Sequence, residues 1–398
     1  MNWSANLVPL GELGKIVSGS TPDSHVKEYW GGTIPWITPA DLTNHEGIYF
    51  QGKLRQITKE GYDSCSTQLL PAGSILFSSR APIGHCAVTT FVLCTNQGFK
   101  SIIPNDKLDS VYGYFALKAA TPHIVALGRG ATFAEINKEI FESVSIPLPP
   151  LPEQQRIAAI LAKADRLRWL RRYALDISDT YLQSVFLEMF GDPATNPRGW
   201  KISSLGKHLA FITSGSRGWS QYCGSFGTRF IQSFDVQMNS IAEDHLTFVN
   251  PPLTAEAQRT QVQPGDVLLT ITGSRIGRVA PVPTSLGQAY VSQHVAILRL
   301  NGSLCPSFVS MFLSHERGGQ KQIGALQYGQ VKPGLNFDQI RSFEIPLPPH
   351  ALQTRFAGIM QKHRRLHNQQ KEVVRQAEHL FQTLLHRAFR GELSAVGR

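Results

Sequence analysis

The sequence predicts an α+β chain built as a tandem repeat. Two globular domains are each followed by a long helix, and the two helices form an antiparallel coiled coil with pseudo-twofold symmetry. Three observations carry this. IPLPPLPEQQRIAAIL (146–161) recurs as IPLPPHALQTRFAGIM (345–360), 199 residues further along a chain of 398. Blocks upstream of each copy also match, at an offset that drifts. Downstream of each copy, apolar residues follow one shared heptad register. Internal repeats of this kind decide the architecture before any residue-level reading. The expected domains are 1–150, a first helix at 151–192, a second globular domain at 193–349 and a second helix at 350–398.

In chain order, LGKIVSGS (13–20) resembles LAFITSGS (209–216) at an offset of 196. PAGSILFSSRAPIG (71–84) resembles QPGDVLLTITGSRIG (263–277) at an offset near 192. TNQGFKSIIP (95–104) resembles VSQHVAILRL (291–300) at 196. From Ile136-Asn137 and Leu335-Asn336 onward the offset holds at 199. It aligns Ser143 with Ser342, then Gln154, Arg156 and Ala158 with Gln353, Arg355 and Ala357, and Phe190 with Phe389. Loops on a globular domain absorb insertions, whereas a helix has a fixed register, so the drift marks the globular parts. Within them, GSILFSS and GDVLLTIT read as strands, and VYGYFALKAA (111–120) and PSFVSMFLSHE (306–316) read as helices.

In the second long helix Ile359, His363, Leu366, Gln370, Val373, Ala377, Leu380 and Leu384 recur at alternating steps of four and three, an a/d seam. The same register gives Ile160, Ala164, Leu167, Arg171, Ala174, Ser178, Tyr181 and Val185 in the first. Pro152 suits a first helical turn, where its missing N–H leaves nothing unpaired. Gly191 and Pro193 stop the first helix, and Gly391 stops the second. Each spans about 35 residues, about 50 Å. One apolar stripe on a helix of that length needs a partner, and matched seams point to each other. The competing reading is two unrelated helices, each capping its own domain.

The net charge of +10 and an isoelectric point near 9.4 favour a polyanionic partner such as nucleic acid, although basic proteins without one are common. No apolar run reaches the length of a membrane span and no signal peptide is legible, so a cytoplasmic protein is expected. Five cysteines (Cys65, Cys86, Cys94, Cys223, Cys305) form no CxxC pair, which fits a reducing compartment without a zinc ribbon or disulfide framework. Signatures of catalysis are missing: there is no phosphate-binding GxxxxGK[ST], no GxGxxG opening a helix, no GxSxG and no HExxH. Asn250-Pro251-Pro252 is reminiscent of adenine methyltransferases, but Leu253 stands where those carry an aromatic ring for the flipped base. A turn explains it better. No catalytic residue, metal site or bound cofactor is expected in this chain.

Candidate DNA-contacting residues fall in Gly/Ser-rich loops. The first domain offers Ser20, Thr21, Arg80, Asn96, Gln97 and Lys100. The second offers Arg217, Trp219, Arg275, Arg278, Gln293, His294 and Lys332. Arg matches guanine edges and Asn or Gln matches adenine edges, so such loops suit base readout; each residue taken singly suits an ordinary surface or turn better than a base contact. The helices add ADRLRWLRR (164–172) and QKHRRLH (361–367), which suit DNA phosphates or a protein partner alike.

The paired IPLPP segments with their long helices, together with SGSTPDS and YWGGTIPWITPADL (within 18–42), make the whole chain resemble the specificity subunit of type I restriction-modification systems. The resemblance implies a non-catalytic subunit with two target-recognition domains, each reading half of a split site in double-stranded DNA. The helices would fix the unread spacer and dock two methyltransferase subunits, joined by a nuclease-translocase. S-adenosylmethionine, ATP and Mg would belong to those partners. The second copy departs from the pattern at Ala351-Leu352-Gln353-Thr354, where the first has Pro152-Glu153-Gln154-Gln155, and this bears on docking at that end. Two other readings fit parts of the sequence. One is an adaptor that joins two protein-binding domains; the other is an enzyme with a degenerate methyltransferase site around Asn250.

Overall fold

The computed structural model describes residues 6–80, 82–128, 135–242, 246–252, 254–327 and 334–393. The chain divides into two compact units. Unit 1 comprises residues 1–175 and 370–398; unit 2 comprises residues 176–369.

Unit 1 contains β1 (Leu7–Pro9), β2 (Gly14–Ser18), β3 (Trp30–Ile37), β4 (Tyr49–Phe50), β5 (Arg55–Ile57), α1 (Lys59–Asp63), β6 (Ile75–Phe77), β7 (Cys86–Thr89), β8 (Cys94–Thr95), β9 (Lys100–Pro104), α2 (Ser110–Leu127), α3 (Lys138–Ser143) and β10 (Ser145–Pro147). It also holds the first part of α4 (Leu151–Phe190). A five-stranded sheet runs β2-β9-β6-β7-β4, with a three-stranded sheet β5-β3-β8 and the pair β1-β10. The run Ile75-Leu76-Phe77 is fully buried, which is why it reads as continuously apolar rather than alternating. Phe77 stacks on Phe141 of α3 at 5.0 Å. The strand near 75–77 and the helix within 110–127 stand where the sequence puts them.

Unit 2 repeats the plan with β11 (Ile202–Ser204), β12 (Leu209–Ser214), β13 (Cys223–Gly224), β14 (Thr228–Ile231), β15 (Val236–Gln237), β16 (Ser240–Ile241), β17 (Phe248–Val249), α5 (Ala255–Arg259), β18 (Gln261–Val262), β19 (Val267–Thr270), β20 (Val279–Pro281), β21 (Ala289–Val291), β22 (Val295–Leu300), α6 (Pro306–Ser314), α7 (Gly319–Gln327), α8 (Phe337–Arg341) and β23 (Glu344–Pro346). The first part of α9 (His350–Phe389) follows. Its sheets run β12-β22-β19-β20 and β13-β17-β14-β21-β18, with the pairs β11-β23 and β15-β16.

The repeated hinge now has a physical reason. The Ile-Pro of each IPLPP forms a short strand against the start of its domain, Ile146 opposite Val8 and Ile345 opposite Ser203. The glutamine eight residues after each Ile is buried to 1% exposure. Gln154 accepts from Asp109 N at 2.9 Å and donates to Pro149 O at 2.9 Å. Gln353 accepts from Cys305 N at 2.8 Å and donates to Pro348 O at 2.9 Å. Each amide thus locks its long helix to the start of a domain helix, α2 or α6. A buried amide that both accepts and donates in this way tolerates little substitution.

Each long helix has 40 residues, about 60 Å at the standard rise, so both are longer than the spacing of sequence signals indicates. The pairing is antiparallel in both units. In unit 1 Glu378 of α9 accepts from Arg168 (3.0 Å) and Arg172 (2.7 Å) of α4. In unit 2 Ser178 of α4 meets His363 of α9 at 3.0 Å, and Phe186 and Phe190 meet Phe356 edge-on at 5.7 and 5.5 Å. Each helix therefore completes the core of the unit that it enters last. Phe186 and Phe190 lie in unit 2 with Phe308, whereas Phe381, Leu385 and Ala388 lie in unit 1, where Phe389 packs on Tyr112.

The buried line keeps to the seam that the sequence suggests at some positions and leaves it at others: Ala164 and Ala377 are buried, and Ser178 and Tyr181 of α4 both meet His363 of α9. Leu167, Tyr181, Leu366 and Leu380 are exposed; Ile160, Ala174, Val185, Ile359, Val373 and Leu384 are half-buried. The buried line follows Ile157, Leu161 and Ala164, then Phe186 and Phe190, on α4, and Phe356, Met360, Ala377, Phe381, Leu385 and Ala388 on α9. The reason is that each helix half packs on a globular domain as well as on its partner helix. That widens the buried stripe beyond an a/d seam and rotates its centre.

Candidate nucleic-acid interface

In unit 1 the close approach of β2 to the segment after β8 organises the candidate residues. A Cβ at Gly19 would lie 2.0 Å from Thr95 O, so only glycine fits, and Ser20 N donates to that carbonyl at 3.0 Å. This brings Thr21 onto Gln97 (Oγ1 to Oε1, 2.5 Å). Asn96 Oδ1 caps the turn through Gly98 N at 2.9 Å. Gly98 O accepts from Ser79 N at 2.8 Å, and Ser79 leads directly to Arg80. Ser20, Thr21, Arg80, Asn96 and Gln97 thus belong to one bonded cluster, all at least partly exposed.

Lys100 belongs to the same cluster but is 6% exposed, so it does not present its charge to a ligand. Burial lowers its pKa, opposed by Glu135 and reinforced by Arg80. Its Nζ lies 3.4 Å from Ser79 Oγ and 3.9 Å from Glu135. Glu135 also faces Arg80 at 3.6 Å. Sequence reasoning passed over Glu135; its only signal is its place next to the aligned Ile136-Asn137 block.

Unit 2 builds the same surface from different residues. A Cβ at Gly215 would lie 1.8 Å from Val291 O, the counterpart of the contact at Gly19 and the reason SGS occurs in both halves. Ser216 bridges to Ser292 beside Gln293 and His294, and Arg217 is exposed next to it. Thr272 bonds His294 Nδ1 at 2.5 Å. Arg275 donates to Phe234 O at 3.1 Å and Arg278 to the side chain of Gln237. Trp219 is no surface ring: it is 4% exposed and packs on Tyr290 at 5.3 Å, filling a small core. Lys332 lies outside the described residues. Asn250 follows β17 directly and donates to Phe226 O at 3.3 Å; Leu253 also lies outside the described residues.

The arginine-rich helix faces divide in role. Arg168 and Arg172 are committed to Glu378, and Arg168 also lies over the Phe381 ring at 3.9 Å. Arg364 donates to Asn239 O at 3.2 Å. Arg166, Arg171 and Arg365 are exposed. A polar cleft of about 320 Å³ opens in unit 1 among His45, Lys118, Asp165, Trp169 and Arg172. On α4, Trp169, Leu170, Tyr173 and Ile177 are 38–53% exposed, an apolar stripe on one face of the helix, and Tyr181 beyond them stacks on His363 of α9 at 5.6 Å. Among the described residues no group of three acidic, histidine or cysteine side chains is arranged to hold a metal ion, and no helix is long and apolar enough to cross a membrane.

A family model described as the type I restriction modification DNA specificity domain matches residues 4–170 and 247–376. The MjaIX type I restriction enzyme specificity subunit of Methanocaldococcus jannaschii is 38% identical over 222 residues, 52% of this chain and 51% of that one. The aligned part therefore spans about half the length of that relative. The EcoBI specificity subunit of Escherichia coli is 22% identical over 92% of this chain and 81% of its own. The crystal structure of a type I restriction-modification system S subunit from M. genitalium superposes with a TM-score of 0.60 at 15% identity, covering 96% of this chain and 95% of that one, a likeness of fold.

Proposed function

From the premise that the chain belongs to the type I restriction-modification DNA specificity family, we propose that it is the DNA-reading subunit of such a complex and carries no catalysis of its own. Each unit reads one half of a split duplex site, and α4 with α9 sets the unread spacer. The observation that carries this reading is the same scaffold built twice with differently dressed loops: Thr21, Arg80 and Gln97 in one, Arg275, Gln293 and His294 in the other. A single symmetric ligand would need identical loops, and two different half-sites need different ones.

Methyltransferase subunits dock on the exposed apolar face of α4, and a nuclease-translocase joins through them. S-adenosylmethionine, ATP and Mg belong to those partners, and the complex works in the cytoplasm. Arg166, Arg171 and Arg365 face the spacer phosphates without reading sequence.

The test is duplex binding by the full chain with its methyltransferase partner, measured against salt. Binding is expected at one split motif, with a log–log slope of several, since each phosphate contact contributes about 0.9. An adaptor that joins two proteins would show neither. Deleting a matched heptad from each long helix is expected to shorten the recognised spacer or abolish recognition, and an unchanged spacer would sink the ruler.

A further inference from the structure

We propose that Arg80 and Glu135 together read one G·C base pair in the half-site taken by unit 1, an inference that rests on the DNA-reading function above. The two side chains are 35% and 42% exposed and stand 3.6 Å apart. That is adjacent but not hydrogen-bonded. By contrast, Arg299 closes on Asp266 at 2.8 Å through both carboxylate oxygens in unit 2. The Arg80 donors and the Glu135 acceptors therefore retain free bonding capacity. Lys100, whose side chain is 8% exposed, approaches the far oxygen of Glu135 at 3.9 Å and holds the carboxylate from the protein side.

This order of groups matches one base pair. The major-groove edge of G·C presents two acceptors on guanine and then the amino donor of cytosine. Arg80 supplies the donors for the first two, and Glu135 supplies the acceptor for the third. An A·T edge alternates acceptor, donor, acceptor, which sets the adenine amino group against an arginine donor. A carboxylate exposed on a phosphate-facing surface repels DNA unless it gains such a bond. Among the described residues unit 2 has no counterpart: Leu335 N bonds Ile271 O as Ile136 N bonds Ser79 O, so Gly334 stands in the place of Glu135, beside Thr272. The pair belongs to one half-site only.

The test uses the full chain with its methyltransferase partner on duplexes in which each pair of the motif is replaced in turn. At one G·C position, replacement by A·T is expected to weaken wild-type binding about 10–100-fold, the range of one bidentate contact. Arg80→Ala and Glu135→Ala lose that discrimination at this position and no other, and the double variant loses no more than the worse single one. A half-site without any G·C pair overturns the inference using the wild type alone, even if a variant fails to fold. So does a uniform weakening on every duplex, or intact discrimination in both variants. Absence of any sequence preference in the wild type overturns the DNA-reading function itself, and with it this inference.

Discussion

The two units share a scaffold and differ in what it presents. Gly19 and Gly215 make the same close approach, Gln154 and Gln353 the same buried lock, and Phe389 and Phe190 close corresponding ends of the two cores. On the loops the correspondence stops. Unit 1 places a charged trio, Arg80, Glu135 and Lys100, where unit 2 places Thr272 bonded to His294. Packing tolerates few alternatives in a core, because volume changes there cost stability directly. Loops lie outside that constraint and diverge. The difference teaches that the repeat preserves a scaffold and leaves its loops free to change.

The comparison can be broken at the holder first. Phe190→Ala is expected to cost about 3–5 kcal/mol, and Phe381→Ala about the same. Hydrogen exchange should place the first loss in unit 2 and the second in unit 1, the units in which these rings are buried. A loss from Phe190→Ala confined to residues 6–170 would contradict the crossed arrangement of helix ends.

Gln154→Ala and Gln353→Ala come next. Each leaves a buried N–H and carbonyl unpaired, at about 1–3 kcal/mol, and fraying should start at α2 in one variant and α6 in the other. Equal protection at both helices in both variants would remove the lock. Glu378→Ala is expected to cost about 1–2 kcal/mol in unit 1, where it removes the cross-helix partner of Arg168 and Arg172, and nothing in unit 2, whose junction uses Ser178 and His363. Differential exchange across α9 distinguishes the two.

The smallest effect is that of pH. Burial, and then the charge of Lys118, lowers the pKa of His45 in unit 1; burial also lowers those of His208 and His315 in unit 2. The unfolded chain takes up these protons first, so stability is lost as pH falls through the ordinary histidine value near 6.5. His45→Gln should flatten this dependence for unit 1 alone, and an unchanged acid loss in unit 1 would exclude His45 as its source.

Much of the holder is legible in the sequence, because its constraints are local and repeated: proline hinges, stop glycines and a fixed offset after Ile136. The exact face of the helices is not, since a heptad pattern cannot tell burial against a partner helix from burial against a domain; Leu366 and Leu380 fit the pattern and are exposed. The candidate surface is legible only in part. Arg80 and Gln97, candidates by residue type, are at least partly exposed, whereas Trp219, a candidate on the same ground, is core. Glu135 becomes visible only when folding brings it to Arg80 across 55 residues of chain.

The most direct test is single-molecule methylation mapping of DNA in cells carrying the complex, with the wild-type chain and with a chain whose reading loops in unit 2 are replaced. Two different half-sites at a fixed gap in the wild type, with only one half changed by the replacement and the gap unchanged, is the predicted result. A continuous motif, or both halves changing together, would contradict the account of one scaffold holding two independent reading heads.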